Sequence, residues 1–175
     1  GETAATRPYA WVTGSLDLQQ PRLRENWDPD YNIKKSPMWV YCGNALGIWR
    51  CPADRSTGIS TNGQRVLRVR SMSMSNWVGG NGDSPQNDYR GYWGLNGKWK
   101  VYRSLSQMID PGASMTFVLL DEREDSINDG YWVTEMDGYP NPARTKIVDY
   151  PASYHNRAGG FSFADGHSEI RKWLD

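Results

Sequence analysis

Eighteen glycines and ten prolines interrupt this 175-residue chain so often that apolar segments stay short. A chain broken in this way does not sustain long helices and reads as many short strands joined by turns. No apolar run approaches the 18 or so residues of a membrane-spanning helix. Hydrophobic residues make up only 38% of the chain, and nine tryptophans and ten tyrosines carry much of that apolar area. Large rings therefore replace many aliphatic side chains in the expected core. At this length a single domain is expected, burying roughly 70% of the surface of the unfolded chain. It is assigned to residues 11–175, with residues 1–10 a disordered stretch or the remnant of a cut. The opening "GETAATRPYAW" lacks the basic and apolar regions of a signal peptide, which implies a cytosolic chain or one that has lost a leader.

The expected fold class is α+β, mainly β: an antiparallel sheet of short strands with one or two short helices and long loops. "WVTGSLDL" (11–18) reads as a strand entering a turn, and residues 25–43 as a turn at Asp28-Pro29 with a short helix before Pro37. "RVRSMSMSNWVGG" (68–80) has the period-two alternation of a strand, and Gly79–Gly97 reads as a long loop. Ser104 as N-cap, Gln107 three residues on and Pro111 as terminator predict a helix of one to two turns. "SMTFVLLDE" (114–122) is the most apolar strand, and "DGYWVTEMDGY" (129–139) a strand between two Asp-Gly turns. "FSFADGHSEIRKW" (161–173) reads as a hairpin with Asp165-Gly166 as its two-residue turn. That register sets Ala164 opposite His167 and Phe163 opposite Ser168, and puts Phe161, Phe163 and Ile170 on one buried face.

Lysine plus arginine equals aspartate plus glutamate, 20 each, so no long-range field draws the chain to nucleic acid or anionic lipid. Nucleic acid is excluded as an expected partner. Arg65, Arg68 and Arg70 interleave with Val66, Leu67 and Val69, which reads as a strand with solvated arginines.

Catalytic signatures fail. "GFSFA" (160–164) has Ala164 where a nucleophile elbow needs glycine and lies in a hairpin. "GYWGLNGK" (91–98) has one residue too many for a phosphate-binding loop. No catalytic residues are assigned, and a hydrolase using Ser153 or Ser162 with His155 and Asp165 is the least favoured reading. The two histidines and two cysteines lack zinc-ligand spacing, so His155 reads as a histidine hydrogen-bonded to a neighbour. Cys42 and Cys51 in "CGNALGIWRC" suit a small disulfide ring worth about 2.5–3 kcal/mol, with two buried thiols as the alternative. Asp121, Glu122, Glu124, Asp125 and Asp129 crowd one segment beside Asn128. Solvent, Arg123 or a cation must offset that charge, and calcium is the candidate ion, with Asp121, Glu122, Asp125 and Asp129 as ligands. "GYWGLNGKWKVYR" (91–103) offers Trp93, Trp99 and Tyr102 as a candidate glycan-stacking platform.

His155, nine residues, then Asp165-Gly166 resembles the C-terminal signature of bacterial prepilin-like proteins named for a His-x9-Asp-Gly motif. Other blocks fall in that family's order: "WVTG" (11–14), "IWRCPAD" (48–54), "RVRSMSMSNWVGG" (68–80), "DPGASMTFVLLDE" (110–122) and "INDGYW" (127–132). The likeness runs from about Trp11 to Leu174. It implies a mainly antiparallel β globular domain, periplasmic or at the cell surface, anchored in the inner membrane by an apolar N-terminal helix that this chain does not show. It further implies a place in type II secretion or pilus-like machinery, with pilin-like or secretion-system subunits as partners, and brings no catalytic residues. The expected role is assembly or recognition, with a glycan-binding envelope module as the alternative. Export agrees with the disulfide reading, and related pseudopilins that hold calcium agree with the acidic loop. His155, Asp165 and Gly166 are then expected to lock the last hairpin.

Overall fold

The computed structural model describes residues 10–79, 100–135, 140, 141, 143, 144 and 146–174. The described residues hold nine short strands: β1 (Thr57–Ile59), β2 (Arg65–Leu67), β3 (Met72–Ser75), β4 (Phe117–Asp121), β5 (Tyr131–Trp132), β6 (Thr134–Glu135), β7 (Lys146–Ile147), β8 (Ala158–Phe163) and β9 (Ser168–Lys172). One α-helical turn, Arg24–Trp27, and several 3-10 turns complete the described elements. The domain is α+β and mainly β, as its composition implies.

Five strands make the central sheet in the order β5-β3-β4-β8-β9. Every neighbouring pair is antiparallel except β3 and β5, which run parallel at one edge. Strand pairs β1-β2 and β6-β7 form two small separate sheets. A register shift between Phe117 and Leu119 in β4 turns Phe117 onto the face of Leu120. Phe117 there meets Phe161 and Trp132 edge to face at centroid distances of 5.5 and 5.8 Å, and Trp173 meets Phe161 at 5.8 Å. Met74 and Leu119, paired across β3 and β4, pack on the opposite side against a cluster of Trp11, Val12, Ile33 and Trp49. Trp11 and Trp49 stack with planes 4° apart and centroids 5.6 Å apart.

Three local expectations change. Residues 11–18 form no strand: the Trp11 indole N–H donates to the Gly130 carbonyl at 2.8 Å, and Trp11, Val12 and Leu16 are buried through tertiary contacts instead of a ladder. The helix at 104–107 shrinks to the 3-10 turn Leu105–Gln107. Ser104 makes no cap bond there, while the Gln107 side chain accepts from the Arg103 N–H at 2.8 Å. Of the strand expected at 129–139, the described residues 129–135 hold β5 and β6, separated at Val133, whose N–H bonds the Asp149 carboxylate at 2.7 Å.

The last hairpin forms where the Asp-Gly signal places it, but one residue out of register. Ser162 pairs with Ser168 and Phe161 with Glu169, while the Phe163 N–H donates to the His167 carbonyl at 2.9 Å. The loop therefore has three residues, Ala164 to Gly166, closed by the Gly166 N–H on the Phe163 carbonyl at 3.0 Å. Gly166 takes φ +94°, the bulge position that such a loop requires. The slip sends Ile170 to the opposite face, where it is 66% exposed, while Phe163 stays buried.

Gly166 has open space around the position of a Cβ, so its cost on substitution is conformational alone. Gly166→Ala is expected to destabilise by about 1–2 kcal/mol. At this chain size each kcal/mol moves Tm by roughly 2–4 °C. An unchanged melting curve would refute the bulge assignment.

Candidate functional site

The end of β4 is where chemically competent side chains converge. Asp121 is the last residue of β4 and is buried, its carboxylate accepting the Gly160 N–H at 3.1 Å. A Cβ on Gly160 would lie 2.8 Å from that carboxylate oxygen, so only glycine lets β8 carry the carboxylate so close. Cys51 follows the 3-10 turn Leu46–Trp49, and its N–H is held by the Ser71 hydroxyl at 2.7 Å beside the start of β3. His155 sits in the reversal before β8, where its N–H bonds the Ala158 carbonyl at 3.2 Å. Asn156 and Arg157 take left-handed φ values of 55° and 63° in that reversal.

These three segments bring His155 Nε2 to 3.3 Å from Cys51 Sγ and 3.6 Å from Asp121 Oδ2. Cys51 is buried, and the His155 side chain is 30% exposed. Burial, with the Asp121 charge adding to it, pushes the Cys51 thiol above its usual range. Burial likewise raises the Asp121 carboxyl, against the lowering effects of the Gly160 N–H and His155. A cysteine nucleophile would need the opposite: a depressed thiol, and a histidine offering one ring nitrogen to sulfur and the other to the carboxylate. Here sulfur and carboxylate both face Nε2, which is an arrangement for holding something between three ligand atoms.

The residues singled out from sequence are redistributed. Both cysteines are free thiols, which corrects the disulfide. Cys42 packs against the Trp11–Trp49 cluster while the Cys51 sulfur faces His155. His155 does not brace Asp165: Asp165 accepts from the His167 N–H at 3.1 Å and contacts His167 Nδ1 at 2.6 Å, at the far end of β8. His167 Nε2 also lies 3.2 Å from Glu169, and these carboxylates raise the imidazole's affinity for a proton.

The acidic segment does not assemble as a calcium cage. Among the described residues, the only group of three or more metal-ligating side chains is Cys51, Asp121 and His155. Asp125 is held by Arg123 through contacts of 2.5 and 3.0 Å, Glu124 accepts the Tyr154 hydroxyl at 2.7 Å, and Asp129 accepts the Tyr131 N–H at 2.8 Å. Beneath the segment lie Arg68 and Arg70, which are buried, correcting their reading as solvated strand residues. Arg68 donates to the Glu124 carbonyl at 2.7 Å, and Arg70 to the carbonyls of Asp129 and Met72, each at 2.6 Å. Glu122 is fully buried with no hydrogen bond of ordinary geometry to its carboxylate. Of the glycan candidates, Tyr102 commits its hydroxyl to the Asp110 carbonyl. Trp93 and Trp99 lie outside the described residues.

Sequence reasoning missed the three-residue cluster because it paired Cys51 with Cys42 and sought metal ligands at short spacings. A signal was present: "IWRCPAD", "VLLDE" and "YHNRAGG" each contribute one member. Fold and site together define a mainly β domain with a Cys-His-Asp cluster at the end of its central strand. No protein-family model, curated protein or solved structure matches the chain.

Burial pushes Glu122 up to about 8 from 4.5, and Asp149 up to about 6 from 3.8. The folded protein thus keeps protons that the unfolded chain has released, so stability falls as pH rises between each ordinary value and its raised one. Urea midpoints are expected to drop from pH 5 to pH 8, with Glu122 contributing on the order of 2 kcal/mol. Glu122→Gln should flatten that drop, and an equally steep profile in the variant would count against the assignment.

Proposed function

We propose that the chain is the extracytoplasmic globular module of a pilin-like envelope protein, acting in assembly or recognition with other pilin-like or secretion-system subunits and not as an enzyme. The observation that supports this most is the placement of the His-x9-Asp-Gly residues at the two ends of one strand. His155 lies at the base of β8, against the end of β4, and Asp165-Gly166 form its far corner. The nine intervening residues are the left-handed reversal at Asn156-Arg157, the six residues of β8, and Ala164. The motif spacing therefore measures one strand plus its corners, which is an architectural demand.

A second feature fits the same reading. Met38, Val40, Tyr41, Leu46 and Ile48 are all exposed within one stretch of 3-10 turns, Tyr41 by 83%. Exposed apolar side chains gathered this way mark recognition surfaces. Membrane attachment would come from an apolar N-terminal helix of the kind the resemblance implies.

A photo-crosslinking amino acid in place of Tyr41, in native cells, should yield adducts with a pilin-like or secretion-system subunit. The same probe at Arg65, exposed on β2, should not. Absence of such adducts at position 41, or equal labelling at both positions, would overturn the reading.

A further inference from the structure

We infer that Cys51, Asp121 and His155 form a binding site for one borderline-soft divalent cation, zinc being the best fit, which fastens three separate segments of the domain together. The ligand atoms of the three side chains all lie within 4.8 Å of one another. Zinc bonds of about 2.3 Å to sulfur and about 2.0–2.2 Å to nitrogen or oxygen, at tetrahedral angles, set S···N near 3.6 Å and N···O near 3.4 Å. The observed separations are 3.3 Å for Cys51 Sγ to His155 Nε2 and 3.6 Å for His155 Nε2 to Asp121 Oδ2. These two separations lie within about 0.3 Å of the zinc geometry, and sulfur and carboxylate lie within 4.8 Å of each other.

The donor set selects the metal. Thiolate and imidazole are ligands of zinc and its first-row neighbours, whereas calcium and magnesium take oxygen donors. Zinc sites with three protein ligands keep a fourth position for water, and His155, 30% exposed, is the most accessible of the three ligands.

Local charge favours the same ion. Asp121 is buried beside a buried thiol, and the two buried arginines are turned elsewhere, Arg68 to the Glu124 carbonyl and Arg70 to those of Met72 and Asp129. A dication between the ligands supplies positive charge beside this buried carboxylate. On binding, the sulfur–metal bond forms as the Cys51 thiol proton leaves to solvent, and nothing is oxidised. The Cys51 and His155 ends are 104 residues apart, so the ion closes a long loop of the chain.

The test is cobalt substitution of the reduced, chelator-treated full chain, followed by zinc competition. One equivalent of Co2+ should produce a thiolate-to-cobalt charge-transfer band and tetrahedral ligand-field absorption, both abolished by one equivalent of Zn2+. The band should vanish in Cys51→Ser and persist in Cys42→Ser. His155→Ala and Asp121→Asn should each weaken binding by more than the roughly 10–100-fold typical of outer-shell losses. Asp121→Asn keeps an acceptor for the Gly160 N–H, so circular dichroism of that variant separates lost ligation from lost folding. A folded wild-type chain without the band, or a band that survives Cys51→Ser, would overturn the site. Either result leaves the pilin-like reading untouched, because that reading rests on the strand-length motif and the exposed strip.

Discussion

The carboxylate of Asp121, buried at the end of β4, is the constraint on which the rest of the architecture depends. β4 is hydrogen-bonded on both sides, to β3 and to β8, so its C-terminal end lies inside the sheet. The Asp121 side chain accepts from Gly160 on β8, and its backbone carbonyl accepts the Ala152 N–H at 2.8 Å. Ala152 in turn receives the Trp173 indole N–H at 2.8 Å, which returns the end of β9 to the same place. One residue thus ties together the central strand, the loop that carries His155 and the C-terminal hairpin. Each of these contacts is a polar bond in a water-poor setting, where leaving a group unpartnered costs more than the bond itself contributes.

The same logic governs the other buried charges. Arg68 and Arg70 support a crowded acidic segment by bonding its backbone carbonyls, not its carboxylates. Carbonyl oxygens give a guanidinium fixed, directional partners without requiring a second charge to be desolvated. Of the carboxylates, Asp125 pairs with Arg123 at the surface and Glu124 takes the Tyr154 hydroxyl, while Glu122 stays buried. Arg70 also lies 5.6 Å above the Trp11 ring, so the aromatic layer and the charged layer share one side chain. A chain with few aliphatic residues thereby builds part of its interior from stacked rings and from arginines bonded to backbone carbonyls.

Much of this was legible in the sequence, and the misses have physical causes. Periodicity and breakers located β3, β4 and the β8–β9 hairpin, because strand signals are local. The hairpin register was not legible, because an Asp-Gly pair serves a two-residue turn or the last positions of a three-residue bulged loop. Only tertiary pairing decides between them. The arginines of "RVLRVR" looked solvated because burial of a guanidinium depends on carbonyls more than fifty residues away. The free thiols were hidden for a related reason. Spacing along the chain suggested a ring between Cys42 and Cys51, whereas the fold gives Cys51 a partner 104 residues away.

Architecture and ion binding are not competing explanations of His155. A histidine that only braced a loop would be served by one hydrogen bond from a ring nitrogen to a backbone carbonyl. Here the backbone of the reversal is closed independently, by the His155 N–H on the Ala158 carbonyl, so the imidazole is free of that duty. What the imidazole meets instead is sulfur and carboxylate at the same nitrogen, two groups that can both ligate a cation. A dication seated between nitrogen, sulfur and carboxylate satisfies all three groups at once. The strand-length motif therefore sets where His155 sits, and the ligand atoms it meets there set what it can hold.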